Sequence, residues 1–422
     1  MNNLRKSNYT TPTPIQKNAI PNALDGRDIM ACAQTGSGKT AAFLLPIISK
    51  IFEAGELGDG MMDVQEPKAL VIAPTRELAC QIETEAKKLC HGTIIKSVVI
   101  YGGVNVLHHL SQLRKGCDIL VGTPGRIIGF ASDGKVSLKK VKFLVLDEAD
   151  RMLDQGFEPD IRRIEREMPS KDERQTLLFS ATFPAEVQDL ASQMLRRDYL
   201  FIAVGIVGGA NQDVKQTVLE VASSDKIQKL KEVLQNDIPR DSKVLIFVEL
   251  KKRADFLAAR LLQEGYKCTS IHGDRLQRER EIALRQFKNN ECNVLMATSV
   301  AARGLDIPKV EFVVNFDMPS EVDEYVHRIG RTGRLGLQGH AITFVDPTSD
   351  SQVLRSLVAT LKNAGQEIPP WLEQHSTGAT GTFSEFNNDA RSDFRREFGG
   401  TGGGFASGGA SNPTFGDFSS AW

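Results

Sequence analysis

The stretch Ala33-Gln34-Thr35-Gly36-Ser37-Gly38-Lys39-Thr40 decides the fold class of this chain. It follows an apolar run, Ile29 to Ala31, and opens a segment of helical period. That context is what a phosphate-binding loop requires: backbone N–H groups wrap the phosphates, Lys39 reaches the β- and γ-phosphates, and the Thr40 hydroxyl ligates Mg²⁺. The first position is Ala33 and not the usual glycine. On this motif alone, a purely structural turn therefore stays open.

The rest of the chain predicts an α/β protein with two tandem domains, each a mostly parallel sheet with helices on both faces. Short β-branched apolar runs alternate with segments of helical period, which is typical of such sheets. In the first half we predict strands at Ile29–Ala31, Ala69–Ala73, Ser97–Ile100, Ile119–Gly122, Phe143–Leu146, Thr176–Phe179 and Phe201–Val204. In the second half we predict strands at Val244–Val248, Thr269–Ile271, Val294–Ala297, Phe312–Asn315 and Ala341–Val345.

The domain boundaries are predicted from breaks in this pattern. Glycines and polar residues interrupt it between Gly205 and Gln216, so we expect one domain at residues 1–206, a linker at 207–216 and a second domain at 217–375. Residues 376–422 contain glycine, serine and spaced phenylalanines without a periodic apolar face. A disordered tail is expected there.

Composition limits the compartment and the partners. The 422 residues carry a formal net charge of −1, so any nucleic-acid binding must come from locally placed groups. The 6 cysteines form no C-x-x-C pair, which argues against zinc and disulfides and favours a reducing intracellular compartment. No leader peptide and no long apolar run is evident, so we expect neither secretion nor a membrane segment.

An acidic group strengthens the phosphate-site prediction. Asp147-Glu148-Ala149-Asp150 ends the apolar run Phe143–Leu146. An acidic residue at the carboxyl end of a buried strand can hold Mg²⁺, and its neighbour can orient or deprotonate the attacking water. We assign these roles to Asp147 and Glu148. An acidic helix start beside Arg151 would explain one of the carboxylates but not all of them.

Together these residues resemble the DEAD-box RNA helicases, over roughly Tyr9 to Val345. The motifs that carry the resemblance are Thr13-Pro14-Ile15-Gln16, Ala33 to Thr40, Pro74-Thr75-Arg76-Glu77-Leu78-Ala79, Gly102-Gly103, Thr123-Pro124-Gly125-Arg126, Asp147 to Asp150, Ser180-Ala181-Thr182, Gln277 to Arg280, Ala297 to Pro308 and His327 to Arg334. The run Phe247-Val248-Glu249, with Arg253 to Phe256 and the phenylalanine-containing end, is most similar to the Vasa subgroup. The resemblance implies two RecA-like domains.

The resemblance also implies roles around ATP. Gln16 would hydrogen-bond adenine, and Asp306 would contact the ribose or the metal. Arg331 and Arg334 would reach the γ-phosphate as arginine fingers, a role worth roughly 10³ to 10⁵ in rate. His327 would link the acidic box, through Asp150, to Ser180 and Thr182 and so couple the domains. The family carries an aromatic residue upstream of the glutamine, at a position that here precedes Met1. We therefore expect the chain to begin inside this motif, with weakened adenine binding.

An RNA surface is implied on both domains. The expected contacts are Thr75, Arg76, Gly102, Gly103, Thr123, Gly125 and Arg126 on the first, and Arg280, Thr298 and Arg303 on the second. Glycines and helix-start hydroxyls allow close approach of a phosphate backbone, and arginines supply paired donors. We expect little sequence preference, with 2′-hydroxyl contacts distinguishing RNA from DNA.

The function implied is ATP-dependent local unwinding of short RNA duplexes or remodelling of ribonucleoproteins, with RNA-stimulated ATP hydrolysis and Mg²⁺. An ATP-locked RNA clamp that scaffolds an assembly shares every motif and stays open. A P-loop kinase or a DNA helicase is a third reading, and the arginine segment in a second domain counts against the kinase. We expect a monomer with protein cofactors, in the cytoplasm or in perinuclear germ granules, with a nuclear location left open.

Overall fold

The computed structural model describes residues 2–7, 9–34, 36–55, 63–205, 210, 213–299, 310–333 and 338–377. The strands are β1 (Ile29–Ala33), β2 (Ala69–Ile72), β3 (Ser97–Ile100), β4 (Ile119–Gly122), β5 (Phe143–Leu146), β6 (Gln175–Ser180), β7 (Leu200–Val204), β8 (Val214–Glu220), β9 (Val244–Val248), β10 (Cys268–Ile271), β11 (Val294–Thr298), β12 (Phe312–Asn315) and β13 (Gly339–Val345).

Helices alternate with these strands along the chain. They are α1 (Asn2–Lys6), α2 (Pro14–Leu24), α3 (Lys39–Ala54), α4 (Arg76–Leu89), α5 (Val106–Leu113), α6 (Pro124–Ser132), α7 (Ala149–Asp154), α8 (Glu158–Arg166), α9 (Ala185–Met194), α10 (Lys226–Asn236), α11 (Lys251–Gln263), α12 (Gln277–Lys288), α13 (Val322–Ile329), α14 (Leu354–Asn363) and α15 (Pro370–Thr377). None of the helices in the described ranges is both long and apolar enough to cross a bilayer.

The first sheet has the strand order β3-β4-β2-β5-β6-β1-β7, and its strands pair in parallel. Successive residues of β1 point to opposite faces, as the period of a strand requires. Ile29 and Ala31 pack into one apolar core, while Met30 and Cys32 pack into another on the far side. The sheet is therefore covered on both faces, which confirms the doubly wound arrangement predicted from the sequence.

The second sheet has the order β10-β11-β9-β12-β13-β8, again with parallel pairs. Alternate residues of β9 separate into two cores: Val244 and Ile246 lie in one, and Leu245 and Phe247 in the other. Strands β9 and β11 are buried at every residue, as expected when helices cover both faces of a parallel sheet.

The predicted linker at 207–216 extends too far at its C-terminal end. Strand β8 begins at Val214, because Val214 to Gln216 pair with Gly339 to Ala341 of β13. Val214 and Gln216 are buried, while Lys215 between them is exposed. The register comes from residues far along the chain, so the second sheet starts inside the segment predicted as linker. Residues 207–209 and 211–212 of the predicted linker lie outside the described residues.

At the other end of the second domain, α15 continues to Thr377, past the predicted tail start at residue 376. The Ser376 side chain is buried, and its hydroxyl donates a hydrogen bond of 2.8 Å to the Glu373 carbonyl. The first residues of the predicted tail are thus helical. The remainder, 378–422, lies outside the described residues.

The sheet order decides where the candidate site lies. In parallel sheets the carboxyl ends of all strands meet at one edge, and ligands bind outside that edge. Because β6 lies between β5 and β1, the segments after these three strands are neighbours. These segments are the acidic box, Ser180 to Thr182 and the phosphate loop.

Candidate active site

The phosphate loop lies between β1 and α3. Gly36 and Gly38 have φ angles of 83° and 93°, a region that suits glycine. Lys39 is buried, and its Nζ donates a hydrogen bond of 2.8 Å to the Ala33 carbonyl. The lysine therefore folds back across its own loop at the start of α3. Thr35, which we also predicted to bind the nucleotide, lies outside the described residues.

Gln16 lies beneath this loop, and its side-chain amide hydrogen-bonds to two backbone groups. Its Oε1 accepts a hydrogen bond of 3.0 Å from the Thr13 N–H, and its Nε2 donates one of 3.1 Å to the Gly38 carbonyl. A primary amide has two donors and an acceptor with two lone pairs, so one N–H and one lone pair remain after these bonds. The contact with adenine stays a prediction, and the structure adds an anchoring contact that the sequence did not indicate.

Gly38→Ala tests whether this close approach matters. A Cβ at Gly38 would lie 2.5 Å from Gln16 Nε2, in addition to the strain of a positive φ. We expect ATP binding to weaken roughly tenfold, because the loop must shift away from Gln16 and its N–H groups then no longer lie where phosphate oxygens can accept from them. Titration with a fluorescent ATP analogue measures this. Gly26→Ala is the control, since its φ is +79 but nothing lies within 4 Å of its Cβ; equal losses in both variants would contradict the role of the Gln16 contact.

The acidic box continues directly from β5 and is buried. Asp147 and Glu148 are 3% and 6% exposed. Burial raises the pKa of Asp147 to about 7, against the lowering influence of Lys39. Burial also acts to raise the Glu148 pKa, but Arg151, Arg331 and Lys39 outweigh it, so that pKa lies below its usual value. Glu148 is therefore held as an anion between cationic side chains.

Asp150 joins the acidic box to the segment after β6. Its Oδ2 accepts hydrogen bonds from the Ala181 N–H at 3.1 Å, the Thr182 N–H at 3.0 Å and the Thr182 hydroxyl at 3.0 Å. Its own N–H donates to Ser180 Oγ at 3.3 Å. His327 Nε2, from the second domain, is 3.6 Å from Asp150 Oδ2, which is longer than a hydrogen bond. The predicted coupling group is thus assembled around Asp150, with His327 at its edge.

Burial acts to raise the pKa of Asp150, but its contact with His327 and the nearby charges of Arg151 and Lys39 outweigh that effect, so this pKa lies well below its usual range. Asp150 is therefore a stable anion that can hold several donors at once. Asp150 Oδ2 accepts from three donors of the first domain and lies 3.6 Å from the imidazole of His327 in the second domain. Asp150 is therefore a contact point between the two domains.

Helix α13 of the second domain and the turn after it carry two arginines, of which Arg331 lies near the acidic box. Arg328 donates to the Asp317 carbonyl at 2.7 Å and pairs with Glu324 at 2.7 Å, so it holds its own domain together. Arg331 is 3% exposed and is close enough to Glu148 to lower that group's pKa. The structure therefore brings together the predicted base and one predicted arginine finger. Arg334 and Asp306 lie outside the described residues.

The residues present fit a nucleotide phosphate with a divalent cation. Ser37 Oγ is buried and has no hydrogen-bond partner among the described residues, at the loop where phosphate oxygens would accept from it. In the described part of the chain, no cluster of three or more His, Cys, Asp or Glu side chains could hold a metal ion alone. A Mg²⁺ site built from Thr40 and Asp147 would thus need phosphate oxygens, as is usual for this ion.

The first-domain part of the predicted RNA surface lies along the starts of α4 and α6. Thr75 caps α4, its hydroxyl accepting from the Leu78 N–H at 3.3 Å. The Arg76 guanidinium packs on Gly102 and Gly103, where a Cβ at Gly103 would lie 2.1 Å from Nη1. Arg126 Nε donates to the Tyr101 carbonyl at 3.1 Å. Helix starts and fixed guanidinium groups on one surface are suited to a phosphate backbone.

The remaining predicted RNA residues of this domain lie close by. Thr123 is the residue before α6, and nothing lies within 4 Å of a Cβ built on Gly125. On the second domain, Thr298 ends β11 and is buried. Arg303 lies outside the described residues. All of these RNA assignments stay predictions.

Arg280 is paired with the first domain in this structure. Its Nη2 lies 2.6 Å from Glu77 Oε1, and both side chains are largely buried. Gln277 accepts a hydrogen bond of 3.1 Å from Arg76 Nη1 and donates one of 3.3 Å to Glu77. The sequence predicted an RNA contact for Arg280 and did not indicate its ion pair with Glu77. Glu77 and Gln277 belong to recognised motifs, but only the arrangement of the two domains indicates their role.

A phosphate loop and an acidic strand end in one parallel-sheet domain, with an arginine of a second such domain beside them, define a two-domain phosphate-loop protein. Two family models match the chain, DEAD/DEAH box helicase at residues 13–190 and helicase conserved C-terminal domain at residues 225–336. The chain belongs to the DEAD/DEAH box helicase family.

Similar proteins extend this assignment. The chain is 54% identical over 375 residues to the probable ATP-dependent RNA helicase DDX4 of Homo sapiens, over 88% of this chain and 52% of that protein. It is 48% identical over 387 residues to the ATP-dependent RNA helicase vasa of Drosophila melanogaster, over 92% of this chain and 57% of that protein. The Vasa resemblance is thereby confirmed. The chain spans about half the length of the curated relatives it matches.

The fold is likewise similar to a solved structure of S. cerevisiae Dbp5 bound to RNA and ADP BeF3. The TM-score is 0.75 at 31% identity, over 89% of this chain and 95% of that one. A superposition of that extent includes both domains. The two domains are therefore arranged much as they are in that RNA- and nucleotide-bound protein.

Proposed function

We propose that this chain is an ATP-dependent RNA helicase that binds single-stranded RNA, hydrolyses ATP when RNA is bound, and separates short duplexes or remodels ribonucleoproteins. The observation that carries the proposal is the division of the site between two domains. Glu148 of the first domain lies among Lys39, Arg151 and Arg331, and the last of these belongs to the second domain. Hydrolysis is then conditional on domain closure.

Closure would also complete the RNA surface. Arg76 and Glu77, beside the glycines of the first domain, contact Gln277 and Arg280 of the second. Nucleotide and RNA would thus favour the same closed arrangement, and each would bind more tightly in the presence of the other. This reciprocal coupling is what an RNA-stimulated ATPase needs.

The roles of the chain's own residues at the ATP site follow from their positions. Lys39 and the loop N–H groups would bind the phosphates, and Glu148 would orient the attacking water and accept its proton. Arg331 would neutralise charge that develops on the phosphoryl oxygens. Bound Mg²⁺, held by Thr40 and Asp147, would supply further neutralisation of the phosphate charge.

The proposal predicts that single-stranded RNA raises the ATPase rate and that single-stranded DNA raises it much less. A short RNA duplex should separate in the presence of ATP over many turnovers. Steady-state ATPase assays with each nucleic acid, and a gel-based unwinding assay, measure both effects. ATPase activity that neither nucleic acid changes would contradict the proposal.

The ATP-locked clamp is the second candidate, supported by the closed arrangement and its interdomain contacts. It predicts slow release of RNA with ATP bound and no duplex separation under the same conditions. Measuring RNA dissociation alongside unwinding distinguishes the two. Relatives named as helicases favour unwinding.

The location of the protein in the cell, its oligomeric state and its protein cofactors are also proposals. The Vasa resemblance favours cytoplasmic germ granules, a monomeric chain and protein cofactors. Imaging of the tagged protein and a measurement of its mass in solution would test the first two.

A further inference from the structure

Arg151 is a buried cation at the edge of the acidic box, and the roles assigned so far do not use it. It is 2% exposed, which places it among the largest fully buried side chains. Its Nη1 lies 3.0 Å from Glu148 Oε2, and both side chains are almost wholly removed from solvent. Sequence reasoning treated Arg151 only as a neighbour of an acidic helix start. Its spacing of three residues from Glu148 was the available signal.

One side of Arg151 faces the other domain. A narrow cleft is lined by Arg151 together with Phe247, His327, Arg328 and Arg331, all of the second domain. Arg151 itself lies in α7 of the first domain. Its burial therefore depends on how closely the two domains approach. An ion pair strengthens as water is excluded from it, so the Arg151–Glu148 contact should strengthen on closure.

The backbone of Glu148 has an unusual conformation that needs support. Its φ of 56° and ψ of 53° lie in the left-handed region, which costs a residue other than glycine roughly 1–2 kcal/mol. Such conformations persist where surrounding contacts hold them, and they occur often at active sites. Three contacts hold this one: the Glu148 N–H donates to Asp147 Oδ1 at 3.0 Å, its carbonyl accepts from the Met152 N–H at 3.1 Å, and its side chain pairs with Arg151. Of these, the pair with Arg151 is adjacent to the other domain.

We propose that Arg151 is a positioning residue that couples closure of the two domains to the orientation of the Glu148 carboxylate. With the domains apart, water reaches the guanidinium and the pair is loosely held. With the domains together, Arg151 is confined against the second domain and fixes Glu148 where it can act on the attacking water. This inference rests on the proposed ATP hydrolysis and assigns to it one further residue.

Arg174 is a second buried arginine, and it has a structural role within the first domain. Arg174 is 3% exposed and lies 3.0 Å from Glu165, and it also donates to the Pro169 carbonyl and the Thr176 hydroxyl. All of these partners belong to the first domain. Arg174 precedes β6, so it lies at the amino end of the sheet, opposite the candidate site. It is therefore a matched control for the loss of a buried arginine.

The experiment compares Arg151→Gln, Arg151→Lys and Arg174→Gln in the full chain. The measurements are kcat of the RNA-stimulated ATPase, the Kd of a fluorescent ATP analogue and the melting temperature. For Arg151→Gln we expect kcat to fall roughly 10- to 100-fold, a part of the 10² to 10⁴ that a positioned base contributes, with the Kd nearly unchanged. Arg151→Lys should lie between that variant and the unmodified chain, because a single ammonium holds a carboxylate less rigidly. Arg174→Gln should lower the melting temperature and leave kcat unchanged.

A double-mutant cycle with Glu148→Gln tests whether Arg151 acts through Glu148. If it does, adding Arg151→Gln to Glu148→Gln changes the residual hydrolysis by less than about twofold. Multiplicative losses in the double variant would overturn the proposal, and so would an unaltered kcat in Arg151→Gln. If Arg151→Gln does not fold, a normal kcat in Arg151→Lys would overturn it instead.

If the proposed function is wrong, RNA will not stimulate the ATPase activity of the unmodified chain. Failure of the Arg151 proposal alone would leave that stimulation intact in the Arg151 variants.

Discussion

Replacing Lys39 with alanine is expected to remove most ATP binding, and with it the RNA-stimulated ATPase. The lysine is buried at the start of α3, and its ammonium group lies over the loop, 2.8 Å from the Ala33 carbonyl. A Lys Nζ has three donors, so donors remain for phosphate oxygens. Hydrogen bonds from a charged donor contribute about 1.5–3 kcal/mol each. Losing the group that makes them should weaken ATP binding roughly 100-fold.

The measurement is titration with a fluorescent ATP analogue, together with the melting temperature of each variant. Lys50→Ala is a matched control because Lys50 lies further along the same helix, away from the loop. We expect Lys50→Ala to bind the analogue normally. Unweakened binding by Lys39→Ala, in a variant that melts like the unmodified chain, would refute the phosphate site.

Glu148→Gln is expected to give the opposite combination, with ATP and RNA retained and hydrolysis nearly lost. Glutamine has nearly the size of glutamate, and its amide oxygen can still accept a hydrogen bond from Arg151, which lies 3.0 Å from Glu148 Oε2. The amide cannot accept the proton of the attacking water. Because general base catalysis contributes about 10² to 10⁴ in rate, kcat should fall by that order.

The consequence for RNA is a long-lived complex. Hydrolysis is the step that would allow the domains to separate, so RNA should dissociate slowly from Glu148→Gln while ATP is present. Single-turnover ATPase and RNA dissociation measure the two effects. Glu165→Gln is the control, since Glu165 also pairs with a buried arginine of the same domain, Arg174. Normal turnover by Glu148→Gln would show that another group acts as the base.

The two experiments separate binding from chemistry at one site. Lys39 acts on the phosphates in the ground state and in the transition state, so its loss appears in the Kd. Glu148 acts only when the water reacts, so its loss appears in kcat. If both variants lost only stability, neither the phosphate site nor the base would be supported.

Local sequence was sufficient for the individual elements. The run Phe143–Leu146 is entirely apolar and forms β5 with those bounds, and the acidic box follows it directly. The loop glycines at 36 and 38 have positive φ angles, which suit the backbone wrapping that the loop sequence indicates. Such features depend on hydrophobic periodicity and on the conformational freedom of single residues, both of which are encoded within a few positions.

Local sequence was insufficient where contacts join distant residues. The start of β8 at Val214 follows from its pairing with β13, and that ladder cannot be seen in a segment of glycine and polar residues. Gln16 was predicted to face adenine, yet its amide also anchors Gly38. In both cases the decisive partner is far away in the chain.

By itself, the sequence determined two α/β domains, the phosphate loop and the acidic box. Only the tertiary structure decided that β6 lies between β5 and β1, so that Asp150 receives the Thr182 donors. Only the tertiary structure brought Arg331 near Glu148, Arg280 against Glu77, and the second domain around Arg151. The physical reason is that strand order and domain contacts arise from the packing of complementary surfaces, which no single segment of the chain specifies.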